Sequence, residues 1–118
     1  MSKRRIAILG STGSIGCQAL EVIACHPEVF EVEVLTGKSR ADLLIEQALT
    51  HKPNAVVIVD EQQYEKVKAA LLPHQIKVYT GEAALSQVAA FDDVDMVLTA
   101  LVGFSGLLPT ITAIKHGK

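Results

Sequence analysis

Five short runs of aliphatic and β-branched residues alternate along this chain with longer segments of helical period. That alternation limits the fold more than any other feature. Arg5 to Leu9 reads as a buried strand. Ile15 to Cys25 reads as a helix with Ile15, Ala19, Val22 and Ile23 on one face. The Phe-Glu-Val-Glu-Val alternation from Phe30 predicts a half-exposed strand to Leu35. Ala41 to Lys52 is helical, with Leu44, Ala48 and Leu49 in register and Pro53 just past its end. Ala55 to Val59 is an uninterrupted apolar strand. Asp60 then holds an N-cap position before a helix from Glu61 to Leu72 that carries Tyr64, Val67 and Leu71. Ile76 to Tyr79, Glu82 to Ala90 and Met96 to Thr99 continue as strand, helix and strand. A last helix runs from about Leu107 to His116, with Pro109 in its first turn.

Repeats of this kind with short connections predict one α/β domain over residues 1–118. The expected architecture is a doubly wound parallel sheet of about five strands with helices on both faces, because right-handed crossovers leave few other packings. Gly117 stands where a helix hands on to a further strand, so the chain is expected to be the first part of a longer protein.

Composition removes several function classes. With 49% hydrophobic residues, disorder is excluded as the main state. Eleven Lys and Arg against 13 Asp and Glu give a formal charge of -2, which argues against nucleic acid as a partner. The basic start, Met1 to Arg5, is followed only by Ile6 to Leu9 before Gly10, too short for a signal-peptide core. No apolar run approaches the ~20 residues of a membrane span. Cys17 and Cys25 sit eight apart on one expected helix, roughly 12 Å along its axis, beyond disulfide reach. Two unpaired thiols suit a reducing cytoplasm.

The strongest chemical signal is Gly10-Ser11-Thr12-Gly13-Ser14-Ile15-Gly16, between the first strand and the first helix. Its spacing is G-x-x-G-x-x-G. Gly10 can take the tight turn, Gly13 lets a pyrophosphate approach the backbone, and Gly16 lets helix and strand pack closely. N–H groups at the helix start would face the anion, and Ser11, Thr12 and Ser14 add hydroxyl donors. The end of the second strand then selects the nucleotide. NAD sites place a carboxylate there for the ribose 2′-OH. This chain has Thr36-Gly37-Lys38-Ser39-Arg40 instead, which suits the 2′-phosphate of NADP. Small residues in Thr99 to Leu107, at the carboxyl end of the fifth strand, would leave room for a cofactor or a neighbouring domain. His26, His51, His74 and His116 show no metal-ligand spacing, and Asp92, Asp93 and Asp95 read as a solvated turn. No nucleophile–base pair and no general acid stand out, so no catalytic and no metal-binding residue is assigned.

GSTGSIG at 10–16, His26-Pro27-Glu28 leading into Phe30, Gly37-Lys38, and ALVGFSGLLPT at 100–110 together resemble the amino-terminal part of the 1-deoxy-D-xylulose 5-phosphate reductoisomerase family. The resemblance covers essentially the whole chain. It implies a Rossmann-like NADPH-binding domain of an oxidoreductase in the non-mevalonate route to isoprenoids. Such an enzyme isomerises 1-deoxy-D-xylulose 5-phosphate and reduces the intermediate to 2-C-methyl-D-erythritol 4-phosphate. It needs a divalent metal (Mg, Mn or Co) and is usually a homodimer. Carried over by position, Thr12, Gly13, Ser14 and Ile15 would bind the pyrophosphate and adjoining groups. Gly37, Lys38 and Ser39 would bind the adenosine ribose and its 2′-phosphate, with Ser39 replacing the Asn often found there. The family's next motif, Leu-Ala-Asn-Lys-Glu, would begin after Lys118, with the metal carboxylates and substrate-phosphate residues beyond it. The chain alone is therefore expected to bind NADPH without turning over the sugar phosphate. Alternatives are the cofactor domain of another NADPH-dependent reductase or epimerase, and a free-standing nucleotide- or CoA-binding module.

Overall fold

The computed structural model describes residues 4–99. The elements run β1 (Arg4–Leu9), α1 (Ser14–Ala24), β2 (Phe30–Gly37), α2 (Ala41–His51), β3 (Ala55–Ile58), α3 (Tyr64–Leu71), β4 (Lys77–Thr80), α4 (Glu82–Ala89) and β5 (Met96–Thr99). Every strand pairing is parallel, and the sheet order is β4-β3-β2-β1-β5. The expected α/β sheet of five parallel strands is therefore present. The expected last helix, Leu107 to His116, and the 100–110 segment lie outside the described residues.

Each strand alternates between two cores. On one face Ile6, Ile8, Val32, Leu35, Val56 and Ile58 pack against Leu20 and Ile23 of α1, Leu44 and Ala48 of α2, and Val67 and Leu71 of α3. On the other, Ala7, Leu9, Val34, Ala55 and Val57 pack against Ala84, Leu85 and Val88 of α4. The handedness of parallel crossovers produces this division. Steps from β1 through β4 run in one direction and put three helices on one face. The return from β4 to β5 runs the other way and puts α4 opposite. Full burial of a Leu or Ile is worth about 1.5–3 kcal/mol, so both cores hold the sheet. The strand order reverses at β1, and in open α/β sheets the crevice at the carboxyl ends of strands around such a point takes ligands.

Four expectations are corrected. β2 is buried from Val32 onward, Glu33 included. A bulge accounts for this: Ile6 pairs with Val32 but Ala7 with Val34, leaving Glu33 as the extra residue. Val32 and Val34 consequently face opposite cores, although simple alternation would put them on one side. The Glu33 carboxylate is met by the Asn54 side-chain amide, and Asn54 N–H donates to the Glu33 carbonyl at 3.0 Å.

The buried stripe of α1 is Gly16, Leu20 and Ile23, while Ile15 is 63% and Val22 60% exposed. Contact of Gly16 with the preceding turn sets the rotation of the helix, which moves the inward stripe one residue on. In α2, Leu49 is exposed and Gln47 is buried between Leu44 and Ala48. The helix expected from Glu61 opens as a 3-10 turn, Glu61–Gln63, with the Asp60 carboxylate accepting from Gln62 N–H at 3.0 Å as an N-cap. Cys17 and Cys25 are both free thiols. Among the described residues no helix is long and apolar enough to cross a membrane.

Candidate functional site

The three glycines between β1 and α1 occupy different physical situations. Gly10 has φ +90°, a left-handed backbone that disfavours any side chain. At Gly16, an added Cβ would lie 2.2 Å from the Gly10 carbonyl oxygen and 2.6 Å from Ser11 Cα, so only glycine permits this approach of helix to turn. Gly13 is under neither constraint. Its φ is -80°, and a Cβ there would meet nothing closer than the Gly10 oxygen at 3.6 Å, an ordinary contact. It is exposed and forms the N-cap of α1, where no side chain caps the helix. The first-turn N–H groups and the positive end of the helix dipole are thus left without a side-chain partner.

A buried polar network ties this turn to the end of β2. Gly10 N–H donates to Thr36 Oγ1 at 2.7 Å, and Ser11 N–H to the Thr36 carbonyl at 2.8 Å. Ser11 Oγ lies 3.0 Å from the Thr36 carbonyl and 2.9 Å from Gln47 Oε1, sharing its proton between them. Gln47 Nε2 donates to the Ser11 carbonyl at 2.9 Å. Ser11 is 0% exposed, so its hydroxyl is committed inside the fold and is not the ligand donor expected from its place in the motif. Thr12 is nearly buried. Its Cγ2 and Oγ1 would sit 3.0 and 3.1 Å from a Cβ placed on Gly37, which packs the turn against the end of β2. The hydroxyl of Ser14 lies outside the described residues.

The second group of expected site residues follows directly. Gly37 is buried, Lys38 and Ser39 are exposed, and the Lys38 backbone is held by Asp60 N–H donating to its carbonyl at 2.7 Å. Arg40, exposed at the start of α2, donates from Nη1 to the Thr12 carbonyl at 3.2 Å and so bridges the two halves of the site. Ser39 and Arg40 also line a groove of about 610 Å³ with Asp42, Glu46, Gln63 and Lys66. Lys66 is paired with Asp42 at 2.7 Å, while Lys38 and Arg40 follow directly on the carboxyl end of β2. All the expected residues are therefore brought to the carboxyl ends of β1 and β2.

Three residues of the network were not identified from sequence. Thr36 and Arg40 were noticed only as part of a strand end without a carboxylate. Gln47 had a readable signal: a polar residue inside the apolar stripe of α2. Asp93 and Asp95 pair with Arg5 at 3.4 and 3.6 Å, at the opposite edge of the sheet, as a turn should. Among the described residues no three His, Cys, Asp or Glu side chains stand together as a metal site.

Comparison with known proteins bears on the fold and the family. The family model for 1-deoxy-D-xylulose 5-phosphate reductoisomerase matches residues 6–118. The protein of that name from Phocaeicola vulgatus is 54% identical over 116 residues, covering 98% of this chain and 30% of the relative. That from Bacteroides fragilis is 53% identical over 118 residues, again 30% of its length. The crystallised Zymomonas mobilis reductoisomerase in complex with NADPH superposes with a TM-score of 0.93 at 31% identity, covering 99% of this chain and 31% of that one. A reductoisomerase in complex with NADPH, fosmidomycin and magnesium gives 0.92 at 32% identity over 98% of this chain and 28% of that one. The chain spans about 30% of the length of the relatives it matches. With a glycine turn, a carboxylate-free second strand end and a match over residues 6–118, this chain belongs to the 1-deoxy-D-xylulose 5-phosphate reductoisomerase family.

Proposed function

We propose that residues 1–118 form the NADPH-binding domain of an enzyme that isomerises and reduces 1-deoxy-D-xylulose 5-phosphate. Gly13 carries this reading. It is a glycine required by neither its backbone angle nor its neighbours, set at the uncapped start of a helix. Room kept free at a positive helix end is what close approach of a pyrophosphate needs. Thr12, Gly13, Ser14 and Ile15 hold the pyrophosphate and adjoining groups, mainly through main-chain N–H. Gly37, Lys38 and Ser39 receive the adenosine ribose and 2′-phosphate, with Arg40 adding a second cation.

NADPH supplies the hydride when bound; this chain's residues bind and orient it. The divalent metal and the sugar-phosphate site belong to the remainder of the enzyme. The whole protein works as a homodimer in the cytoplasm, with no nucleic-acid or membrane partner. Calorimetric titration of the chain with NADPH and NADH, repeated on Lys38→Ala, tests this reading. NADPH should bind at least about tenfold tighter than NADH, and Lys38→Ala should remove most of that gap. Absence of NADPH binding refutes the reading. Consumption of NADPH in the presence of metal and 1-deoxy-D-xylulose 5-phosphate by this chain alone refutes its limitation to binding.

A further inference from the structure

Gln47 is 8% exposed, and its side-chain amide closes a ring with Ser11. Nε2 donates to the Ser11 carbonyl at 2.9 Å and Oε1 accepts from Ser11 Oγ at 2.9 Å. The Cys17 thiol, 3.6 Å from the same carbonyl, is a second and weaker donor. Together they fix the Ser11 carbonyl toward α1 and α2. A trans peptide is planar, and its C=O and N–H point in opposite directions. No cis peptide occurs among the described residues. Holding the Ser11 carbonyl inward therefore turns the Thr12 N–H outward, and among the described residues no main-chain carbonyl accepts from that N–H. Thr12 immediately precedes Gly13, where the chain leaves room.

We infer that Gln47 is a positioning residue: by holding the Ser11 carbonyl it aims the Thr12 N–H at the pyrophosphate of the dinucleotide. This rests on the cofactor reading above. Gln47 touches no ligand itself. Without it, the weak Cys17 donor is what remains on the Ser11 carbonyl among the described residues, and a rotation of the Ser11–Thr12 peptide would present a carbonyl oxygen to the anion. A lost donor and a gained repulsion act in the same direction.

The test is NADPH affinity and thermal unfolding measured side by side on the chain and three variants. Gln47→Met keeps the volume and removes both hydrogen bonds; it should weaken NADPH binding about tenfold or more. Val67→Ala, in the core under α3, should lower the unfolding temperature while leaving affinity within about twofold, because it lies away from the turn. Gln47→Glu supplies the readout that a merely structural role would not move. As a neutral acid it can donate to the Ser11 carbonyl and accept from Ser11 Oγ; as a carboxylate it cannot donate. Its affinity relative to the unmodified chain at the same pH should therefore recover as pH falls.

Folded Gln47→Met with unchanged NADPH affinity overturns the inference while leaving the cofactor reading intact. So does Val67→Ala weakening NADPH as much as Gln47→Met. If Gln47→Met does not fold, a pH-independent relative affinity for Gln47→Glu overturns it instead. Failure of the unmodified chain to bind NADPH overturns the cofactor reading and this inference with it.

Discussion

Gly13 and Gly16 sit three residues apart in one turn, and alanine at each should fail in a different way. At Gly16 the new methyl would be 2.2 Å from the Gly10 oxygen, 2.6 Å from Ser11 Cα and 2.9 Å from Ser11 carbonyl carbon. All three are main-chain atoms pinned by Thr36 and Gln47, so none can rotate aside. The start of α1 would have to move outward by about 1 Å, loosening Leu20 and Ile23 from the core. Overpacking of this kind costs about 3 kcal/mol. A chain of 118 residues has an unfolding entropy near 0.25 kcal/mol/K, so 1 kcal/mol is about 4 °C and the loss about 12 °C.

At Gly13 the nearest atom would be at 3.6 Å and φ is -80°. Alanine is a poorer N-cap than glycine by several tenths of a kcal/mol, roughly offset by the smaller entropy of its unfolded chain. Its unfolding temperature should stay within about 4 °C of the unmodified chain, while NADPH affinity falls about tenfold or more as the methyl enters the pyrophosphate's space. Differential scanning fluorimetry with and without NADPH reads both quantities. The reasoning is refuted if Gly16→Ala melts with the unmodified chain, or if Gly13→Ala loses stability as Gly16→Ala does and keeps its affinity.

Other perturbations test separate parts of the argument. Arg40→Ala should weaken NADPH about three- to tenfold more than NADH in calorimetry, with an unfolding temperature lower by no more than about 2 °C, because Arg40 is exposed and loses a single 3.2 Å contact. Asn54→Ala strips the buried Glu33 carboxylate of its side-chain donor; it should cost about 1–3 kcal/mol in urea unfolding without changing nucleotide affinity. Asp60→Ala removes the N-cap before α3 and should cost about 1 kcal/mol by the same assay. Desolvation lowers the His51 pKa from its usual 6.5, so the unfolded chain takes up the proton first as pH falls. The His51 contribution is therefore complete above about pH 6.5 and is lost as pH drops through that value toward the lowered folded pKa. His51→Gln should flatten that part of the slope in unfolding temperature between about pH 7.5 and about pH 5.5.

The five strands and their order of helices were legible because each run is short, apolar and set off by a turn signal. Faces were less so. A bulge at Glu33 reverses the alternation that Phe30 to Val34 displays, and nothing local in the sequence marks a bulge made without glycine. The inward stripe of α1 depends on where the helix is docked, which Gly16 decides through its contact with Gly10 and Ser11 of the preceding turn. For Leu49 and Gln47 the hydrophobic pattern pointed the wrong way, because a hydrogen-bonded amide replaces a hydrophobe in the stripe.

The same cause explains why the sequence displays Gly13, Gly37 and Lys38 at the carboxyl ends of β1 and β2 but not the residues that hold the turn between them. On the proposed reading, binding uses main-chain N–H groups at a helix start, and a main-chain group has no residue type of its own. What a sequence displays is the side chain, and in this turn Ser11 and Thr12 turn theirs into the fold. Ser11 by type resembles a ligand donor, yet its hydroxyl is shared between Thr36 and Gln47. Gln47, remote in sequence, acts on the turn through the carbonyl of that same residue. In such a site the side chains that decide affinity are those that hold a peptide plane in one orientation. Alanine at Thr36, which would free the Gly10 N–H of its 2.7 Å bond, should accordingly loosen the turn and weaken NADPH although Thr36 is wholly buried.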